Sequence, residues 1–147
     1  MAEYELRSPE TPTEWENYHD LCWEVMRKPW NQPKGSERDP RENDSWHRAV
    51  YADGHLAGIA RLQIDTPALG RVRFMAVASA FQGKGIGRLL MESMEEIARA
   101  QGVEKIVLDA REQAVGFYLV LGYQVVAEGH LLYGEIQHYV MEKALYE

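Results

Sequence analysis

The sequence predicts an α/β protein with a mixed, mostly antiparallel sheet of about seven strands and helices on both faces. Three observations lead to this fold class. Apolar runs of period two alternate with amphipathic runs of helical period, Asp53-Gly54 marks a tight hairpin, and a glycine-rich turn joins an apolar strand to a long helix. With 147 residues, 46% of them hydrophobic, the chain can form one compact domain over residues 1–147.

The first half of the chain is expected to form four strands and one helix. A short strand over residues 3–7 precedes a helix over residues 12–27, where Thr11 is the N-cap and Glu14 completes a capping box. Strands over 46–52 and 55–64 flank the Asp53-Gly54 turn, and a third over 71–77 follows a turn at 66–70. These three strands should form an antiparallel meander.

A polar segment, residues 28–44, separates the first helix from the meander. It holds three prolines, one glycine and many charges, so we expect a loop with at most a short helical turn. Such a length is typical of a lid or a substrate-facing loop, although a mobile surface excursion fits nearly as well. Its aromatic residue, Trp30, either lines a pocket or fills the core.

The second half begins with a helix whose apolar stripe has helical spacing and whose charged residues lie on other faces, ending at Gly102. A buried strand over 106–108 ends just before Asp109. A helix over 114–121, a strand over 123–126 and a final strand within 136–143 complete the chain. The stripe comprises Ile86, Leu89, Leu90, Met94, Ile97 and Ala98, and the charged residues are Glu92, Glu95, Glu96 and Arg99.

The stretch from Phe74 to Leu90 has the features of an anion cradle. Glycines let the backbone turn sharply and approach a ligand, and the following helix presents free N–H groups and the positive end of its dipole. A glycine-loosened turn without a ligand is the alternative. Gly85 breaks the P-loop pattern, which needs Ser or Thr there, and Arg88 breaks the dinucleotide fingerprint.

Composition limits the classes of partner and site. The net charge of −7 argues against nucleic acid as the main partner, and it mildly favours a cationic substrate. One cysteine, Cys22, permits no internal disulfide framework, and no apolar run is long enough for a membrane span, so we expect a cytoplasmic protein without membrane partners. The five histidines are too scattered to form a zinc pattern, so no metal is expected.

Two motifs resemble those of the GNAT superfamily of acyl-CoA-dependent N-acyltransferases. Gln82-Gly83-Lys84-Gly85-Ile86-Gly87 is similar to its acyl-CoA loop, Gln/Arg-x-x-Gly-x-Gly/Ala, and the segment from Phe117 to Tyr123 is similar to its F-Y-x-x-x-G-F/Y signature. The tail at 134–141 and the region at 108–111 look most like the ElaA-like branch. The resemblance implies a sheet splayed between its fourth and fifth strands.

The resemblance also implies where acetyl-CoA binds. Its pyrophosphate would lie on the backbone of the glycine loop, and its pantetheine arm would lie beside the fourth strand almost like an added strand. The loop residues are Gln82, Gly83, Lys84, Gly85, Ile86, Gly87 and Arg88, and the strand residues are Met75, Ala76 and Val77.

Three residues are candidates for the chemistry that the resemblance implies. Tyr118 matches the tyrosine that protonates the leaving thiolate, although it could instead pack in the core with its hydroxyl bonded. Asp109 or His138 could accept the proton of the amine, although a helix-capping or salt-bridging aspartate and a structural histidine are the alternatives. Arg111 occupies a position where many relatives have asparagine.

The function predicted from this resemblance is N-acetyl transfer from acetyl-CoA to a primary amine by direct attack in a ternary complex. The amine could belong to a small molecule or a peptide, and a homodimer is possible. A non-catalytic acyl-CoA-binding or sensing domain is the main alternative. A third possibility is a structural or adaptor domain whose glycine loop binds no ligand.

Overall fold

The computed structural model describes residues 3–146. It contains one seven-stranded sheet of order β1-β2-β3-β4-β5-β7-β6, in which only the β4–β5 pairing is parallel, so the predicted fold class is confirmed. The strands are β1 (Tyr4–Arg7), β2 (Trp46–Ala52), β3 (His55–Thr66), β4 (Leu69–Val77), β5 (Lys105–Arg111), β6 (Gln124–Leu132) and β7 (Ile136–Ala144), and the α-helices are α1 (Pro12–Met26), α2 (Ile86–Ala100) and α3 (Val115–Val120).

Helices cover both faces of the sheet, as expected. On one face α1 packs against β2, β3 and β4 through a core cluster that includes Tyr18, Cys22 and Ile59. On the other face α2 and α3 share a larger cluster that includes Leu90 and Tyr118. We call these the α1 face and the α2 face. The helix α1 begins as predicted, with a complete capping box between Thr11 and Glu14.

The central pair of strands separates part-way along its length. Three residue pairs join β4 to β5, from Leu69 opposite Lys105 to Arg71 opposite Val107. Beyond that point β4 runs on for six residues and β5 for four without pairing to each other. The predicted splay between the fourth and fifth strands is therefore present, and the β4 edge over residues 72–77 has no strand partner on the β5 side.

Several element boundaries differ from the sequence prediction. The strands β5 and β6 are longer than expected because both pair with the long strand β7, which extends them beyond their apolar segments. Asp109 therefore lies inside β5 rather than after it. The 28–44 loop contains two 3₁₀ turns, Lys28–Trp30 and Pro40–Asp44. The Asp53-Gly54 turn is confirmed, with φ of 50° and 83°.

The helix α2 differs from its predicted pattern at two positions. Leu89, expected in the apolar stripe, is 36% exposed. Glu95, expected on an outer face, is buried because its carboxylate accepts hydrogen bonds from Tyr123 Oη at 3.1 Å and Lys143 Nζ at 2.9 Å. Both partners lie far away in sequence, so helical periodicity alone could not place Glu95 inside.

Shortening Leu90 to alanine should destabilise the fold by about 2–5 kcal/mol, the range measured for fully buried leucines. Leu90 is 0% exposed, and its Cδ1 lies 3.0 Å from the position that a Cβ on Gly58 would take, which shows how closely α2 approaches β3. Urea unfolding of Leu90→Ala would measure the loss. Leu89→Ala, one residue earlier and partly exposed, is the matched control and should lose less than about 1 kcal/mol of stability. Equal losses in the two variants would show that Leu90 is not closely packed between α2 and β3.

Candidate active site

The separated ends of β4 and β5 enclose a cavity of about 240 Å³, which we call the β4–β5 gap. Residues of β4 and β5 form its sides, α3 contributes from the α2 face, and the end of α1 contributes from the α1 face. The gap is therefore lined by residues from both faces of the sheet. Its lining comprises Val25, Met26, Arg27, Val72, Arg73, Phe74, Met75, Leu108, Asp109, Ala110, Arg111, Ala114, Tyr118, His130, Leu132 and His138.

A β-bulge shapes the β4 side of the gap. Ile59 of β3 pairs with Ala76 and Arg61 pairs with Arg73, so one β3 residue faces two β4 residues, Phe74 and Met75. Phe74 has a φ of 53°, a left-handed conformation that is rare for an aromatic residue. Such strained residues cluster at functional sites, and here the bulge bends β4 where it borders the gap.

The glycine loop at the start of α2 forms an open turn. Gly83 and Gly85 have φ of 76° and 81°, and no atom lies within 4 Å of the position of an added Cβ at either residue. Gly87 has a different role, since a Cβ there would lie 2.9 Å from Cζ of Phe117 and would push α3 away from α2. The backbone at residues 83–86 is thus accessible to a phosphate at the N-terminus of a 15-residue helix.

The two basic residues of this loop remain near the surface. Lys84 is exposed, and Arg88 forms an exposed ion pair with Glu92, with Nε 2.9 Å from Oε1. An exposed pair of this kind contributes little to stability, so Arg88 can exchange Glu92 for a ligand phosphate at small cost. Gln82 lies in the same turn, with its side-chain amide 3.5 Å from the Val77 carbonyl oxygen.

Tyr118 enters the gap from α3. Its ring is 7% exposed and packs edge-to-face against Phe117 and Tyr123, with centroid distances of 4.9 and 5.9 Å. Its hydroxyl has no hydrogen-bond partner among residues 3–146. Burial raises the pKa of Tyr118 to about 12, against the opposing charge of Arg111. The phenol therefore stays protonated at neutral pH and can donate a proton or a hydrogen bond.

His138 lies on β7, directly opposite Arg111 of β5. The ring is 5% exposed and stacks on His130 at a centroid distance of 4.2 Å. Its Nδ1 donates to the carbonyl oxygen of Ile136 at 3.0 Å, which leaves Nε2 as an acceptor. Burial is the main cause that lowers the pKa of His138, and the charge of Arg111 lowers it further. The imidazole is therefore neutral at pH 7 and able to accept a proton.

Asp109 also borders the gap, but its carboxylate is engaged. Its Oδ2 lies 3.4 Å from Nη1 of Arg71, which also binds Asp65 at 2.9 Å. Side chains on β5 alternate, so Asp109 and Arg111 lie on the α1 face while Leu108 and Ala110 belong to the core on the α2 face. The structure thus places Asp109, His138 and Tyr118 around one cavity, with the two proton-acceptor candidates on the α1 face.

Comparison with known proteins gives the family. The model of the acetyltransferase (GNAT) family matches residues 5–123. The chain belongs to the GNAT family. It is 32% identical over 120 residues to an uncharacterized N-acetyltransferase of Bacillus subtilis strain 168, YjcF, a match that covers 82% of this chain and 85% of the relative. The protein is therefore an acyl-CoA-dependent N-acyltransferase with acetyl-CoA as its co-substrate, and GNAT enzymes act on amines of small molecules or peptides.

Solved GNAT structures share the whole fold. An aminoglycoside 6′-N-acetyltransferase crystallised with coenzyme A superposes with a TM-score of 0.82 at 16% identity, covering 99% of this chain and 98% of that one. ElaA of Escherichia coli gives a TM-score of 0.79 at 20% identity, covering 97% and 99%. At such identities the likeness concerns the fold, so membership of the ElaA-like branch stays a prediction.

A larger cavity, of about 920 Å³, lies away from the predicted GNAT site residues. It is bounded by α1, the 28–44 loop and β2, with Trp15, His19 and His47 among its lining residues. The smaller β4–β5 gap is the candidate active site, because Tyr118, His138, Asp109 and Met75 all border it. Within residues 3–146 no helix could cross a bilayer, and no three potential metal ligands form a group.

Three of the carboxylates in the 28–44 loop form ion pairs with arginines of the chain. Asp39 binds Arg61 at 2.8 Å, Glu42 binds Arg38 at 2.6 Å, and Asp44 binds Arg41 at 3.1 Å. The fourth, Glu37, is 6% exposed.

Sequence reasoning missed three contributors to the gap. Phe74 carries no local signal for a bulge, since its residue type gives no preference for positive φ. The helical pattern identifies Arg27 only as the last residue of a helix. Arg111 stands where many relatives have asparagine, and alternation along β5 gives a second signal because it places Arg111 on the same face as Asp109.

Proposed function

We propose that this enzyme acetylates a primary amine by direct attack on acetyl-CoA in a ternary complex. The observation that carries the proposal is the β4–β5 gap, which is lined from both faces of the sheet and has Tyr118 on one side and His138 on the other. Two substrates could then meet inside the sheet without an acyl-enzyme intermediate. The whole chain, 1–147, would act as one catalytic domain.

The α2 face supports binding of acetyl-CoA. The pyrophosphate would accept hydrogen bonds from backbone N–H groups at residues 83–88, where the helix dipole favours negative charge. The pantetheine arm would lie along the unpaired edge of β4 at Met75, Ala76 and Val77 and would replace the missing strand contacts. At the bulge, backbone N–H groups freed from the ladder could polarise the thioester carbonyl and stabilise the oxyanion.

The α1 face supports delivery of the amine. An amine is mostly protonated at neutral pH and must lose a proton before its lone pair can attack the thioester carbon. The free Nε2 of His138 is the better-placed acceptor, because Asp109 is held by Arg71. Once the tetrahedral intermediate collapses, the C–S bond breaks and the thiolate takes the proton of the Tyr118 hydroxyl. The proton that the attacking nitrogen loses as it becomes an amide restores the phenol.

The experiment that tests the proposal combines binding with turnover. Purified protein is mixed with acetyl-CoA and a broad panel of amines, free thiol is measured as it is released, and acetylated amine is identified by mass spectrometry. Release of thiol matched by acetylated amine is the expected result. Saturable acetyl-CoA binding without any acetylated amine would favour the sensing domain, and absence of acetyl-CoA binding would sink the proposal.

Replacing His138 by glutamine should lower kcat about 10-fold to 100-fold, the low end for general-base catalysis, because Asp109 and water remain in the gap. The sign of the pH dependence follows from the lowered pKa of His138: the wild-type rate falls only once pH drops below the ordinary histidine value, as Nε2 gains its proton. His138→Gln should lose that acidic limb. Profiles of kcat/KM against pH for both proteins would test this. An acidic limb that persists in His138→Gln would show that another group accepts the proton of the amine.

A further inference from the structure

The guanidinium of Arg111 borders the β4–β5 gap without a carboxylate to balance its charge. No carboxylate of residues 3–146 lies within 4.0 Å of it. Its Nη2 makes only two long contacts, to the Val25 carbonyl oxygen at 3.5 Å and to Met26 Sδ at 3.3 Å, and its buried Nε has no partner. A half-buried cation with unused donors is costly unless a ligand completes its hydrogen bonds.

Two nearby arginines add to the uncompensated positive charge of Arg111. Arg27 and Arg73 border the same gap, and neither forms an ion pair within the described part of the chain. Burial lowers the pKa of Arg111, and repulsion from Arg27 adds to that effect. The one carboxylate of the lining, Asp109, is already bound to Arg71. The gap is thus locally positive although the whole chain carries a net charge of −7.

Aromatic residues hold the guanidinium in place. Arg111 Cζ lies 4.7 Å from the ring centroid of Trp30, and Trp30 stacks on Tyr133 at 6.3 Å with an angle of 27° between the rings. The stack joins the 28–44 loop to the β6–β7 turn on the α1 face. A planar guanidinium fixed in this way keeps its fork of N–H donors oriented, which suits a carboxylate better than a point charge would.

We propose that the amine acceptor carries a carboxylate, as a free amino acid does, and that Arg111 binds this carboxylate on the α1 face while the amine points into the gap. The inference rests on the acetyltransferase function proposed above. The phosphates of acetyl-CoA cannot fill this role, because their cradle lies at the start of α2 on the opposite face. Cationic acceptors such as polyamines would be repelled by Arg27 and Arg111.

The test compares each standard amino acid with its own primary amide, which keeps the amine and the side chain but removes the negative charge. In the wild type, kcat/KM should be at least about 10-fold higher for the preferred acid than for its amide. Arg111→Gln should lower kcat/KM for the acid about 30-fold and for the amide less than about 3-fold. Arg111→Lys should recover part of the lost kcat/KM for the acid, since lysine restores the positive charge but cannot donate two parallel hydrogen bonds to a carboxylate.

A calorimetric measurement with a control variant separates a binding role of Arg111 from a structural one. Calorimetry should show that the N-acetylated acid binds the CoA-loaded wild type, that its amide binds more weakly, and that Arg111→Gln removes the difference while acetyl-CoA affinity stays unchanged. The control is Arg99→Gln, an exposed arginine in the last turn of α2 that should alter none of these values.

The outcomes are distinct. If amides react as well as acids, or if Arg111→Gln affects both equally, the carboxylate inference is overturned while acetyl transfer stands. If no amine is acetylated, the proposed function falls and this inference falls with it.

Discussion

Tyr118→Phe should lower kcat about 100-fold to 1,000-fold while the affinity for acetyl-CoA changes little. The substitution removes the hydroxyl that we propose protonates the departing thiolate, and the phenylalanine ring still fills the buried site between Phe117 and Tyr123. Because burial raises the pKa of Tyr118 to about 12, the hydroxyl holds its proton throughout the working pH range. Steady-state kinetics with saturating acetyl-CoA, together with calorimetric titration, would measure both quantities.

Tyr123→Phe provides the matched control. Its hydroxyl is 3.1 Å from Glu95 Oε2 on the α2 side of the core, and its side chain does not border the gap. Losing this hydrogen bond should reduce stability while kcat stays within about 3-fold of the wild type. A Tyr118→Phe enzyme as active as Tyr123→Phe would show that water or the amine itself supplies the proton.

Gly85→Glu should weaken acetyl-CoA binding by about 100-fold or more. The new side chain would project into the open space of the glycine loop, and its carboxylate would repel the pyrophosphate at the N-terminus of α2. Such a loss corresponds to roughly 3 kcal/mol of binding free energy. Calorimetric titration of acetyl-CoA into the folded variant is the measurement.

The control for the affinity loss in Gly85→Glu must carry the same backbone strain. A glutamate at φ 81° is itself strained, by about 1–2 kcal/mol. Gly102→Glu has the same strain, since Gly102 has φ 79° and open space around it, but it lies past the opposite end of α2. We expect Gly102→Glu to lose stability and keep its acetyl-CoA affinity. Equal affinity losses in both variants would mean that strain, and not the cradle, explains the effect.

The sequence was sufficient for features that depend on local chemistry. The capping box at Thr11, the Asp53-Gly54 hairpin and the Gly102 helix stop were all predicted and are all present. Each depends on the intrinsic preferences of a few adjacent residues for particular φ values or hydrogen bonds. The glycine loop belongs to the same class, because positive φ at Gly83 and Gly85 is a property of glycine itself.

Features that depend on distant partners could not be predicted. The bulge at Phe74 exists because β3 and β4 pair in one particular register, and Glu95 is buried because Lys143 meets it from β7. The full length of β5 likewise depends on β7. As a result Asp109 appeared to end a strand, whereas it is one of several charged groups on the α1 face. The cytoplasmic location, the homodimer and the absence of membrane or nucleic-acid partners stay predictions.

The lining of the β4–β5 gap from both faces has a consequence for how this enzyme can be altered. The residues proposed to hold acetyl-CoA, including the loop at Gly83 and Gly85, belong to one face, whereas Trp30, Tyr133 and Arg111 belong to the other. The two sets share only the narrow strip of β4 and β5 between them. If donor and acceptor bind as proposed, substitutions on the α1 face would change acceptor choice without rebuilding the acetyl-CoA site, which makes this face the target for directed evolution toward new amines.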